Sequence, residues 1–184
     1  MRKIVLQTQT TLDGYMSGPD GAMDWLTFPW TDDAGDYVNG LMDGIGTILL
    51  GRRLAEGFIP HWASGPADEP QDAVDFMNRA PRIVLSRTLS ASPWENATVI
   101  DSLDAVRTMK QSDGGDIIVY GGGELVRSLL AARLVDDAHL FVNPTATGGG
   151  MPVFPQGAHT AFRTAAVTPF RCGITALHVQ PADD

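Results

Sequence analysis

The sequence predicts an α/β domain built on a largely parallel sheet with an antiparallel edge at its C-terminal end. Three observations predict it. Short β-branched runs alternate with helical patterns as far as Ala132, the alternation that builds a parallel sheet covered on both faces. After Asp137 the strand-like runs succeed one another with no helix between them, which adds antiparallel strands. Between Asp116 and Leu130 an apolar run meets three consecutive glycines where helical periodicity begins. Such a junction lets backbone approach a phosphate and offers it the unpaired N–H groups of a helix start.

The elements follow in order. Lys3 to Gln9 is apolar and β-prone and ends in the turn signal Thr10-Thr11-Leu12-Asp13-Gly14, so it reads as a buried first strand. Tyr15 to Thr31 holds Gly18, Pro19, Gly21, Pro29, Trp25 and Trp30, too much turn chemistry for a regular element, and reads as a long functional loop. Asp32 or Asp33 caps a helix that buries Tyr37, Val38, Leu41 and Met42 and stops at Gly44 and Gly46. Thr47 to Leu50 is a strand, and Gly51-Arg52-Arg53-Leu54 opens another turn or helix.

Pro60 to Pro70 reads as an exposed connector, because it is composed of Pro, Gly, Ala, Ser and acidic residues. A short helix over Asp72–Arg79, strands over Arg82–Ser86 and Thr98–Ile100, and a helix over Ser102–Lys110 capped by Ser102 or Asp104 follow. Ile117–Tyr120 is a strand and Glu124–Ala132 a helix. Asp137–Asn143, Arg163–Pro169 and Ile174–Val179 complete the sheet. The flanking patterns continue one alternation, so residues 1–184 read as one domain.

Composition narrows the function. At 184 residues and 43% hydrophobic content the chain can bury a core, and a net charge of −9 argues against nucleic acid and anionic membranes as partners. No apolar run approaches the roughly 20 residues that span a bilayer. The expected location is the cytoplasm. The single cysteine, Cys172, forms no intramolecular disulfide and reads as core packing. His61, His139, His159 and His178 lack ligand spacing, so no metal site is expected. Gly-x-Ser-x-Gly and Walker patterns are missing too, which sets aside the common hydrolase and nucleotidase readings.

In an open parallel sheet, ligands bind beyond the carboxyl ends of the strands. Those ends collect Thr10 to Gly14, then Gly51-Arg52-Arg53, then Ser86-Arg87, then Tyr120 to Glu124. With Thr11-Leu-Asp-Gly-Tyr15, Met23-Asp-Trp-Leu26, Leu49-Leu-Gly-Arg-Arg53, Ile83-Val-Leu-Ser-Arg87, Ile118-Val-Tyr-Gly-Gly-Gly-Glu124 and Gly148-Gly-Gly-Met-Pro-Val-Phe154 in this order, nearly the whole chain resembles the dihydrofolate reductase superfamily. The branch it resembles is that of the riboflavin-biosynthesis reductase domain. The resemblance implies a three-layer sandwich around a mixed, mainly parallel eight-stranded sheet, with NADPH bound in extended form beside a pyrimidine- or pterin-like substrate.

Residue by residue, Arg52 and Arg53 suit charge-assisted contacts to phosphate, and Ser86 with Arg87 stands where an adenosine 2′-phosphate needs them. Gly51 precedes the arginine pair. Gly121, Gly122 and Gly123 admit a pyrophosphate to the N–H groups of Glu124 and Leu125. Thr8 and Gln9 resemble the family's backbone contacts to the nicotinamide amide. Trp25 and Phe28 can wall a planar heterocycle, and Tyr120 is expected between cofactor and substrate.

Hydride transfer leaves an anion that needs a proton, so a carboxyl or a water held by one belongs within reach. The candidates are Asp13, the acid shared with the riboflavin-type branch, and Asp33 or Asp36, near the folate enzyme's acid. Asp13 also reads as a turn residue bonding its own backbone.

The expectation is an NADPH-dependent reductase of a small heterocycle, similar to the 5-amino-6-(5-phosphoribosylamino)uracil reductase of riboflavin biosynthesis, a homodimer by family habit. The alternatives are a dihydrofolate reductase proper and a non-catalytic NADPH-binding module. The His/Cys/Cys zinc pattern of the deaminase often fused to riboflavin-type reductases is not in the sequence. A Rossmann dehydrogenase is set aside because its Gly-x-Gly-x-x-Gly does not follow the first strand.

Overall fold

The computed structural model describes residues 1–157 and 159–182. Strands β1 (Ile4–Thr10), β2 (Tyr15–Ser17) and β3 (Ile45–Gly51) frame helix α1 (Asp32–Met42), and helices α2 (Arg52–Ala63) and α3 (Gln71–Arg79) lead to β4 (Arg82–Leu85). Next come β5 (Ala97–Ile100), α4 (Leu103–Gln111), β6 (Asp116–Tyr120) and α5 (Gly123–Ala131). The chain finishes with β7 (Asp137–Val142), β8 (Met151–Pro152), β9 (Phe162–Pro169) and β10 (Thr175–Pro181).

Eight strands form one sheet in the order β5-β4-β3-β6-β1-β7-β10-β9. From β5 to β7 all neighbours are parallel, while β10 runs antiparallel to both β7 and β9. Central position explains composition. β6 is apolar without a break over Ile117–Val119 because both its faces are covered, whereas β1 is apolar only over Ile4–Leu6 and turns polar, though still largely buried, over Gln7–Thr10 as it nears its carboxyl end.

The core lies in two layers against the sheet. On one face Ile4, Leu6, Leu49, Ile117 and Val119 pack with Val106 of α4 and Val126 and Leu129 of α5. On the other, Ile48, Leu50, Val84 and Ile118 meet Ala55 and Ile59 of α2 and Met77 of α3. There α1 adds Ala34 and Tyr37 against Phe141, Ile174 and Ala176. Each fully buried Ile or Leu contributes roughly 1.5–3 kcal/mol relative to an exposed one. The outcome is the three-layer α/β sandwich with its antiparallel edge.

Three local expectations are corrected. The segment read as an exposed connector from Pro60 begins only at Ser64, because α2 continues through Pro60. Pro60 still offers its own carbonyl to Ser64 N–H, and Phe58, Ile59 and Trp62 hold the last turns against the core. Tyr15–Ser17, placed in the long loop by its turn residues, is a short strand that pairs antiparallel with β8. The residue preceding α1 is Thr31 rather than Asp32 or Asp33, and both acids fall in the first turn. Asp33 instead accepts from Arg171 N–H at 3.0 Å.

At the N-terminal ends of β3 and β6 the backbones almost touch. A Cβ added to Gly115 would stand 2.5 Å from the Gly44 carbonyl oxygen and 2.8 Å from the Gly46 nitrogen. Buried Arg2 braces the same place, donating to the Gly115 carbonyl at 2.5 Å and to Thr47 Oγ1.

Candidate functional site

The carboxyl ends of β1, β3, β4 and β6 open onto one cleft of about 1120 Å³. Every residue expected to hold the cofactor lines it: Thr8 and Gln9 from β1, Gly51, Arg52 and Arg53 from the β3–α2 junction, Ser86 and Arg87 after β4, and Gly121 to Leu125 at the β6–α5 junction.

The local chemistry of those junctions favours anions. Gly121 and Gly122 have φ of 32° and 76°, and Gly122 in the left-handed region turns the chain so that α5 starts with its amides towards the cleft. The beginnings of α2 and α4 line the same space, so three helix N-termini, with their unpaired N–H groups and positive dipole ends, border it. Ser102 takes one of those donors for itself by accepting from Ala105 N–H. Gly51 has a packing reason as well, since a Cβ there would meet Leu125 Cβ at 3.5 Å.

Among the described residues, four arginines and three acids line the cleft, on a chain whose net charge is −9. The arginines differ in freedom. Arg52 pairs with Glu56 at 2.5 Å one turn along α2 and Arg107 with Asp104 at 2.8 Å on α4. Arg53 lies 3.9 Å from Glu124, a solvent-exposed contact of little strength. Arg87 is exposed and has no ion-pair partner among the described residues. Next to it, buried Ser86 accepts from the N–H groups of Thr88 and Leu89 at 3.2 and 3.1 Å, which bends the chain after β4 and presents Arg87 at the rim.

The β1 end of the cleft is neutral. Gln7, Thr8 and Gln9 line the cleft with Ser17, Gly21, Met23 and Tyr120, and Met16 and Met151 stand between them and the start of α5, against Gly123. Tyr120 lines the wall as expected, but its ring stacks on Phe58 at 5.4 Å and its hydroxyl donates to Met42 Sδ at 3.3 Å. Burial drives that hydroxyl's pKa far up, so it stays protonated.

The remaining candidates do not line the cleft. Trp25 is buried, and Phe28, 67% exposed, stacks on Trp30, which stacks on Phe141. The loop wall is made instead by Ser17, Gly21 and Met23. Asp13 accepts from Thr11 Oγ1 at 2.6 Å, Gly148 N–H at 2.7 Å and Thr147 N–H at 3.3 Å, and ties the turn after β1 to the segment before β8. The Thr11 hydroxyl, then the two amides, hold its carboxyl below the ordinary aspartate range. Asp33 is held low by the Thr31 hydroxyl and by Arg171, and Asp36 is exposed on α1.

Sequence reasoning passed over Arg107, Met16 and Met151. The Ser102 cap directly after β5 signals Arg107, because it sets the first turns of α4 on the same rim. No sequence signal announces Met16, on a strand of three residues, and Met151 enters only as part of the Gly148–Phe154 motif, with no role assigned to it. No group of His, Cys, Asp and Glu able to hold a metal ion is gathered among the described residues. Nor is any described helix long and apolar enough to cross a membrane.

Residues 2–176 match the RibD C-terminal domain family. The chain belongs to that family. YyaP, an uncharacterized protein of Bacillus subtilis, is 30% identical over 157 residues, which span 83% of this chain and 80% of YyaP. A putative riboflavin biosynthesis protein from Shewanella sp. PV-4 superposes with a TM-score of 0.76 at 20% identity, covering 98% of this chain and 99% of the other. Dihydrofolate reductase from Enterococcus faecalis, complexed with NADP(H), superposes with a TM-score of 0.66 at 16% identity, covering 98% and 97%. At such identities these two structures bear on the fold, which is the dihydrofolate reductase fold.

Proposed function

We propose that this RibD C-terminal domain protein is an NADPH-dependent reductase of a small pyrimidine- or pterin-like heterocycle. One observation carries the reading: a single cleft receives a left-handed glycine turn, three helix N-termini and an unpaired arginine at one end, and neutral side chains at the other. A dinucleotide with a charged half and a neutral nicotinamide half matches that division.

The donor set fits NADPH. Gly122 leaves the amides of α5 clear for a pyrophosphate, Arg52 and Arg53 flank it, and Arg87 beside Ser86 suits a 2′-phosphate, which favours NADPH over NADH. Bound there, the cofactor would supply a hydride. Thr8 and Gln9 would fix its nicotinamide, and Met16, Met23 and the Tyr120 ring would exclude water from the neutral end. Asp13, which lies outside the cleft with its carboxylate engaged, would serve as a positioning residue through the turn it organises rather than as the proton donor.

The cleft wall favours a second reading on one point. Its acidic residues, Asp101, Asp104 and Glu124, all belong to the charged end and none of Asp13, Asp33 and Asp36 lines it, so an NADPH-binding module without turnover is the rival. Fluorescence titration with NADPH and NADH, followed by NADPH oxidation assays against a panel of oxopyrimidines and pterins, tests both. Micromolar NADPH binding with substrate-dependent oxidation supports the reductase. Binding with no oxidation across the panel supports the module, and failure to bind either nucleotide overturns both.

A further inference from the structure

Gln9 carries a side-chain amide whose direction is imposed from outside. Thr27 backbone N–H, which can only donate, gives its hydrogen bond to Asn143 Oδ1 at 2.9 Å. That leaves Asn143 Nδ2 as a donor, and it reaches Gln9 Oε1 at 2.9 Å and the Phe141 and Thr10 carbonyls at 3.1 and 3.4 Å. Gln9 is therefore held with its oxygen inwards. Its Nε2 is buried and has no partner, although the residue lines the cleft. A buried donor without an acceptor is disfavoured, and Asn143, fully buried, cannot turn over to relieve it without orphaning Thr27.

We propose that the Gln9 side-chain amide is a directional donor for a neutral carbonyl oxygen bound in the cleft, oriented through Asn143 by the long loop at Thr27. This rests on the reductase reading and adds to it which atom of the protein meets which chemical group. The acceptor is neutral because the surroundings are. Thr8, Met16 and Tyr120 share that end, while Arg52 and Arg53 follow β3, Arg87 follows β4 and Arg107 stands on α4 after β5, and of these strands the nearest, β3, lies two strands and about 10 Å away. A carboxylate or phosphate brought to Gln9 would lose its hydration with no cation to replace it. A carbonyl there has two sources, the carboxamide of nicotinamide and a ring carbonyl of an oxopyrimidine.

The test uses the whole protein and nuclear magnetic resonance. The Gln9 side-chain amide signals, assigned by their loss in Gln9→Leu, are followed as NADPH is added, and then as uracil is added to protein saturated with NADP+. Movement of those signals with NADPH, and an NADPH dissociation constant at least tenfold weaker in Gln9→Leu, assigns the carboxamide. Movement only with uracil, with the tenfold loss confined to uracil, assigns the ring carbonyl. Asn143→Asp replaces the donor facing Gln9 Oε1 with an acceptor that draws the amide to itself, so it should weaken the same ligand as Gln9→Leu does. If the wild-type protein binds NADPH while the Gln9 signals stay fixed with both ligands, or Gln9→Leu binds both within twofold of wild type, the donor assignment is overturned and the reductase reading stands. Wild-type protein that binds neither ligand overturns the reductase reading and the donor with it.

Discussion

Met151 occupies the space that a side chain on Gly123 would need. A Cβ added to Gly123 would fall 1.8 Å from Met151 Sδ and 2.6 Å from its Cγ, with Met16 Cε at 3.2 Å. The three glycines thus do different work. Gly121 and Gly122 supply positive φ for the turn into α5, while Gly123 admits the β2–β8 ribbon against the start of that helix.

Gly123→Ala should therefore destabilise the fold by about 1–3 kcal/mol, the usual range for overpacking. Adding Met151→Ala should recover most of the loss, because the clashing atoms leave. Urea denaturation of the single and double variants measures this, and additive losses would disconnect the two residues.

Arg87→Ala should leave stability unchanged and weaken NADPH by about 1–3 kcal/mol, the range for a charged hydrogen bond. NADH binding should barely change. Arg52→Ala should discriminate less between the two nucleotides, since Arg52 already pairs with Glu56. Parallel fluorescence titrations check both variants; equal losses for NADPH and NADH in Arg87→Ala would remove it from the 2′-phosphate.

Asp13→Asn keeps the shape of the residue but weakens its hold on two amides. Hydrogen exchange at Thr147 and Gly148 should speed up, and turnover should fall more than NADPH affinity. Unchanged exchange at those positions would show that the tie carries no mechanical load.

Stability should also fall on the acid side of neutrality. His139 is buried, accepts or donates at Nδ1 with the Tyr37 hydroxyl at 2.7 Å, and stacks on His178 at 4.1 Å. Burial first, then the neighbouring imidazole, push its pKa down to about 4. The unfolded chain takes up that proton near pH 6.5, so the folded state loses ground as pH drops from about 7 towards 4, by up to roughly 3 kcal/mol. Asp137, whose carboxyl is drawn below its ordinary value by His178, Gln180 and Lys3 against its burial, adds a loss at still lower pH. Melting temperatures across this range should flatten in His139→Gln, and an equal slope in variant and wild type would place the acid sensitivity elsewhere.

The features that sequence exposed are local ones. A strand end followed by Gly-Arg-Arg, Ser-Arg or three glycines announces both the chain reversal and the chemistry, and those segments lie together because parallel strands share one direction. The Gln9–Asn143–Thr27 relay joins residues 18 and 116 or more positions apart, through hydrogen-bond directions that no spacing encodes. Arg2 and Arg82 are similarly opaque. Composition marks them as charge, whereas both are buried and donate to backbone carbonyls. Place along the chain singles out Asp13, Asp33 and Asp36 as proton-side acids but says nothing of which way a turn points its carboxyl.

The seam where Gly46 and Gly115 meet lies at the opposite pole from the rim. It sets an upper limit on side-chain bulk in a place outside the cleft, so alterations there should act on thermal endurance while leaving nucleotide preference alone. Robustness and selectivity are thereby governed by different ends of the same two strands, and either can drift through sequence change without dragging the other along.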